Sequence, residues 1–152
     1  AADLYGVRPD MITTAKALGN GFPCGALLMT PAVTAALKLE GLGTTFGGGP
    51  MACAAIEATI DAIESEDLLA NVRRVSRCIR DTCTVGPVTG HQGAGFLHGL
   101  ICDRPAKEVQ TALLARDILA GTSGDPRVVR LLPPYTLREP EVDLLRAALE
   151  DM

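Results

Sequence analysis

Two hydrophobic patterns share this chain. In its first fifty residues the apolar positions come in short runs closed by turn residues, and beyond them they recur every three or four positions. The first pattern predicts strands. Residues 10–15 are too short and too β-branched for a helix, and residues 25–29, Gly-Ala-Leu-Leu-Met, are an apolar run between turns. Both strands are expected to be buried. Between them Gly19-Asn20-Gly21-Phe22-Pro23 must turn sharply. Residues 1–5 read as a helix end stopped by Gly6. Thr30 as a cap with Pro31 at the first helical position opens a short helix to about residue 39.

The second pattern predicts helices. Residues 51–65 set Ala52, Ala55, Ile56, Thr59, Ile60 and Ile63 on one stripe, expected to be buried. Residues 66–82 turn Leu68, Leu69, Val72, Val75 and Ile79 inward and Arg73, Arg74, Arg77 and Arg80 outward. A turn-rich stretch, 84–95, leads to a strand over 96–102. An amphipathic helix over 106–119, a loop over 120–124 and a strand over 128–132 follow, the strand ending at Pro133-Pro134. A last helix over 141–150 buries Val142, Leu145 and Leu149.

Composition narrows the class. Hydrophobic residues make up 47% of the 152, and the mean hydropathy is +0.23. A sizeable core is therefore available and disorder is not expected. With 3% aromatics and no Trp, that core is built from Ala, Leu, Val and Ile. The net charge is -4 and there is no basic cluster, which excludes nucleic acid as a partner. Four arginines over 73–80 are offset by Glu64, Glu66, Asp67 and Asp81, as on a solvated face. Five cysteines without a CxxC pair read as reduced thiols of a cytoplasmic protein, not as a disulfide frame or zinc site. Nothing resembles a signal peptide, and no apolar run is long enough to span a bilayer. His91 and His98 lack further ligands at metal spacing. His98 reads as a satisfied core or surface histidine and His91 as an exposed loop residue. The chain starts without Met inside what reads as a continuing element, so it is expected to belong to a longer protein.

Three places carry candidate chemistry. Lys16 follows the first strand. A lysine among apolar neighbours has its charged form disfavoured, which leaves an amine able to attack a carbonyl. On spacing alone, the commoner reading is that Lys16 begins an exposed helix, Ala15-Lys16-Ala17-Leu18. Gly41-Leu42-Gly43-Thr44-Thr45-Phe46-Gly47-Gly48-Gly49-Pro50 precedes a helix. Glycine backbone, hydroxyls and a helix amino end together suit a phosphate-sized anion; composition alone fits a plain connection slightly better. Arg130 emerges between apolar strand residues. Its fork matches a carboxylate, and a buried ion pair is an equal alternative.

The stretch PDMITTAKALGNGFPCGAL, from Pro9, resembles the cofactor-lysine motif of class III (omega-type) aminotransferases, enzymes that use pyridoxal 5'-phosphate (PLP). Cys24 is its one unusual residue. The glycine-rich stretch resembles the family's G-[ST]-T-F-x-G-N-P, with Gly49 in place of Asn. The tail GTSGDPRVVRLLPP resembles the acetylornithine members most, with the ornithine and 4-aminobutyrate enzymes close to them. VGPVTGHQGAGFLHGLICD is similar to a further family segment, but has Thr89 where Arg is usual and extra residues around His91-Gln92.

The resemblance covers the whole chain but only the carboxy-terminal part of the family. It implies an α/β fold: residues 1–65 as the tail of a fold type I PLP-dependent large domain, and 66–152 as a small α+β domain. It implies that Lys16 is catalytic and carries PLP as a Schiff base, and that Thr45 binds the PLP phosphate of the neighbouring subunit in a homodimer. Thr44 and Arg130 would contact substrate, Arg130 through the α-carboxylate. The implied reaction moves an amino group from acetylornithine or a related ω-amino donor to 2-oxoglutarate. The alternative is a truncated or split-enzyme fragment that needs a partner chain carrying the amino-terminal half.

Overall fold

β1 (Met11–Thr14) and β2 (Ala26–Met29) pair antiparallel from Met11 opposite Met29 to Thr14 opposite Ala26. The Thr30 amide donates to the Asp10 carbonyl and prolongs the hairpin by one bond. This is the computed structural model of the chain, describing residues 2–38 and 41–152. The chain divides into two units, Ala1–Ser65 and Glu66–Met152.

In the first unit the tight turn Asp3–Tyr5 closes on Gly6, left-handed at φ 63°. After β2 comes α1 (Pro31–Ala35). It stops short of the expected length, and the expected end at Leu39 lies outside the described residues. The Thr34 hydroxyl donates to the Thr30 and Pro31 carbonyls there, the back-bonding that competes with a helical ladder. α2 (Pro50–Ser65) is the long helix of this unit.

Burial departs from expectation here. Among the described residues of this unit Gly19 alone is buried. Met11, Ile12, Leu27 and Leu28 of the hairpin are exposed, Leu28 by 54%. On α2 the expected stripe is half-buried at best and Ile60 is exposed. The reason is geometric: two strands have two faces, and the two helices of this unit do not cover both.

The second unit has a proper core. α3 (Leu68–Thr82), α4 (Ala106–Leu114) and α5 (Glu139–Glu150) are combined with a four-stranded antiparallel sheet. The strands are β3 (Val88–Ala94), β4 (Leu97–Cys102), β5 (Gly121–Thr122) and β6 (Val128–Leu131), in spatial order β3-β4-β6-β5. Val75 and Ile79 of α3, Leu100 of β4, Val109 and Leu113 of α4, Val129 of β6 and Val142 and Leu149 of α5 share one buried cluster. Val142, Leu145 and Leu149 are buried as their spacing predicts, whereas Leu69 is exposed. The Glu141 carboxylate accepts from the Arg138 amide and caps α5, which starts at Glu139 and not at residue 141.

Three further boundaries differ. β3 occupies the stretch expected to be turns. α4 ends at Leu114, leaving Leu119 exposed. β5 lies in the expected loop over 120–124. Among the described residues no helix is long and apolar enough to cross a membrane.

Candidate active site

Lys16 sits two positions beyond β1, where the backbone changes hand. Ala15 is extended (φ -160°), and Lys16 is left-handed (φ 61°) and opens a tight turn over Lys16–Gly19. Asn20, also left-handed, ends it, its amide donating to the Ala17 carbonyl at 3.1 Å. A left-handed residue with a long side chain costs about 1–2 kcal/mol. Such strain persists where surrounding structure holds it, commonly at functional positions. Gly19 ends the same turn at close quarters: a Cβ there would stand 2.6 Å from Cys24 Sγ and 3.9 Å from the Ala55 side chain of α2. The thiol of Cys24 therefore packs into the space that glycine leaves, which gives the unusual residue of the motif a structural place.

The Lys16 side chain is exposed, so the expected apolar surroundings are absent from this unit. The other sequence reading, an exposed helix begun by Lys16, agrees in exposure, but the element is a tight turn over Lys16–Gly19 and not an α-helix. Among the described residues no carboxylate pairs with it.

Thr44 and Thr45 lie in the turn before α2 and are exposed. The Gly47 amide donates to the Thr44 carbonyl at 3.3 Å, Gly48 is left-handed at φ 67°, and the Cys53 amide donates to the Gly49 carbonyl at 3.1 Å. The first turn of α2 carries no acidic residue, so its positive amino end is not neutralised. Phe46, between the threonines and the glycines, is 89% exposed. No hydrogen bond joins Lys16 to Thr44 or Thr45 among the described residues.

Arg130 belongs to the second unit, on β6 between buried Val129 and Leu131, and its side chain faces outward and is exposed. It makes no ion pair among the described residues, so the buried-pair alternative is not what is found. Gly99 of β4 and Gly121 of β5 flank it in register.

Both histidines are placed by β3 and β4. His98 is 1% exposed and accepts or donates through Nε2 to His91 Nδ1 at 2.8 Å, and His91 Nε2 reaches the Thr84 hydroxyl at 2.9 Å. Burial, then the Arg80 charge, then His91 lower His98 to about 4. Burial and Arg80 also lower His91. Arg80 is half-buried, unlike the other three arginines of α3, and donates to the Gly93 carbonyl at 2.6 Å. His91 is thus a strand residue, not an exposed loop residue. Among the described residues no group of three or more His, Cys, Asp or Glu side chains could hold a metal ion, and all five cysteines are free.

The family profile described as aminotransferase class-III matches residues 1–152. The chain is 39% identical over 142 residues to acetylornithine aminotransferase 1 of Bordetella bronchiseptica, covering 90% of this chain and 36% of that protein. It is 40% identical over 148 residues to the acetylornithine aminotransferase of Streptomyces coelicolor, covering 95% and 37%. A solved ornithine aminotransferase from Toxoplasma gondii, described with partial occupancy of PLP at its active site, superposes with a TM-score of 0.86 at 26% identity, covering 99% of this chain and 38% of that one. The chain belongs to the class III aminotransferase family. It spans a little over a third of the length of these relatives.

Proposed function

We propose that this chain is the carboxy-terminal part of a PLP-dependent aminotransferase that takes its amino group from acetylornithine or a related ω-amino donor and passes it to 2-oxoglutarate. Residues 1–65 belong, in this reading, to the PLP-binding large domain and residues 66–152 to a small α+β domain. The observation that carries the reading is the left-handed Lys16 closing β1 inside PDMITTAKALGNGFPCG. Names of relatives and the GTSGDPRVVRLLPP tail support the donor.

The side chains present fit the cofactor. Lys16 offers an unpaired amine, Thr45 a hydroxyl donor beside a helix amino end free of acids, and Arg130 an unpaired guanidinium. Bound PLP supplies an electron sink for charge at the amino-bearing carbon. Lys16 Nζ would hold the cofactor and, once displaced by the amino donor, would be free to move the proton at that carbon. Arg130 orients the substrate carboxylate by paired N–H bonds, and Thr44 touches substrate. Thr45 donates to the phosphate held by the neighbouring subunit of a homodimer. The exposed Phe46 beside it supports a covered surface there. A cytoplasmic setting belongs to the same reading.

The test supplies the chain with PLP, 2-oxoglutarate and ¹⁵N-labelled acetylornithine, with ornithine and 4-aminobutyrate as competitors, and follows ¹⁵N-glutamate by NMR. Transfer led by acetylornithine is the expected result. No transfer from any donor rejects the reading for this chain alone.

A second reading has its own observation. The hairpin of β1 and β2 exposes apolar residues on both faces. In this second reading a complementary segment, on this or a partner polypeptide, completes this layer before the site is active. Activity that appears only on adding the amino-terminal part of a relative would establish it. Equal activity without that part would reject it.

A further inference from the structure

Arg130 is set between two glycines. It lies opposite Gly99 of β4 on one side and Gly121 of β5 on the other. Directly paired residues project from the same face of a sheet, so both positions beside its side chain are bare backbone. The guanidinium turns to only one of them. Where a Gly121 Cβ would stand, Arg130 Nε and Nη2 are each 3.4 Å away. The corresponding point over Gly99 is met instead by Val128 Cγ1 at 2.8 Å and Gln92 Cγ at 2.9 Å. Arg130 therefore lies across β5.

The backbone of Gly121 does not ask for glycine. Its φ lies outside the left-handed region, unlike that of Gly93, where φ is 90° and a Cβ would run into the Leu97 carbonyl. Other residues adopt such a backbone freely, and glycine weakens a strand. The three atoms nearest to the missing Cβ all belong to Arg130: Nε, Nη2 and the carbonyl oxygen at 3.5 Å. A methyl group there would just touch the guanidinium, and a branched side chain would need the volume it fills. Among the described residues no ion pair holds this guanidinium, so its direction comes from what it packs against.

We propose that Gly121 is the positioning residue of Arg130. By leaving β5 bare it lets the guanidinium settle against the strand with Nε and Nη2 equally close, two donors that can face one carboxylate side by side. This rests on the carboxylate reading of Arg130 and deepens it by naming what sets the direction of the fork. A long side chain that moves freely loses that freedom when a ligand fixes it; one already held by β5 loses less and binds more tightly.

The test uses the full chain, Gly121→Ala and Gly121→Val, and reads the Arg130 Nε–H group by ¹⁵N NMR in two ways: its relaxation without ligand, and its shift as 2-oxoglutarate is titrated in. In Gly121→Val the group is expected to gain fast local motion and the affinity to fall about tenfold. Its urea midpoint is expected to hold or rise, because valine suits a strand. Gly121→Ala, which adds one methyl group, is expected to fall between the two and carries the same comparison if valine unfolds the strand. Unchanged relaxation in both variants would overturn the role of Gly121 whatever the affinity does, since weaker binding would then mean a ligand blocked by the new side chain. If Arg130 does not respond to 2-oxoglutarate in the unsubstituted chain, the carboxylate reading fails, and the relaxation comparison by itself decides whether Gly121 holds Arg130.

Discussion

At the scale of single residues, the chain keeps two costly arrangements. One is the left-handed Lys16. Glycine adopts that backbone without a steric penalty. Lys16→Gly is therefore expected to raise or preserve stability, by up to about 1 kcal/mol in urea unfolding, while removing the amine that the proposed function needs. A clear loss of stability would show that the lysine is retained for packing. The other is the neutral His98 beneath His91, with Arg80 as the charged group that further disfavours its protonation. The unfolded chain binds that proton more readily, with an ordinary histidine value near 6.5 against about 4 when folded. Its contribution is complete above about pH 6.5 and is lost as pH falls towards 4, amounting to about 3 kcal/mol. Urea midpoints at pH 7.5 and 4.5 are expected to differ less in His98→Leu than in the unsubstituted chain. An equal difference in the two proteins would remove His98 as the cause.

Elements differ in how much of them the sequence discloses. The period of α5 was legible because Val142, Leu145 and Leu149 face one core, and β6 because its apolar residues meet Pro133. β3 was not legible. Gly90 and Gly93, with Gly95 just past its end, give it the composition of a turn, and its strand character comes from pairing with β4. The face that its residues take was hidden for the same reason: it is fixed only by register, and a period of two is hard to read through two glycines. The hairpin was recognised as strands but not as exposed, since burial depends on a second layer that local pattern does not encode. A contrast follows between two leucines on strands. Leu100→Ala is expected to cost about 2–5 kcal/mol, the range for a buried leucine, and Leu28→Ala about 0.5 kcal/mol or less in this chain alone. Similar losses at both positions in denaturant unfolding would contradict the burial described here.

At the scale of the whole molecule, the two units differ in cohesion. The buried core residues cluster within Glu66–Met152, and the residues read as cofactor ligands lie within Ala1–Ser65. Amides of β4, β6 and α5 are expected to exchange hydrogen far more slowly than those of β1, β2 and α2. Uniform protection across both units would contradict this. The motif of Lys16 was legible from sequence because its spacing is local. Its exposed setting was not, because surroundings come from distant chain.

Borohydride reduction of the chain incubated with PLP, followed by peptide mass mapping, tests Lys16 as the cofactor lysine. Three lysines compete, Lys16, Lys38 and Lys107. Stoichiometric pyridoxyl label on Lys16, with the other two unlabelled, is the predicted result. Weak label spread evenly over all three would contradict Lys16 as the cofactor lysine of this chain.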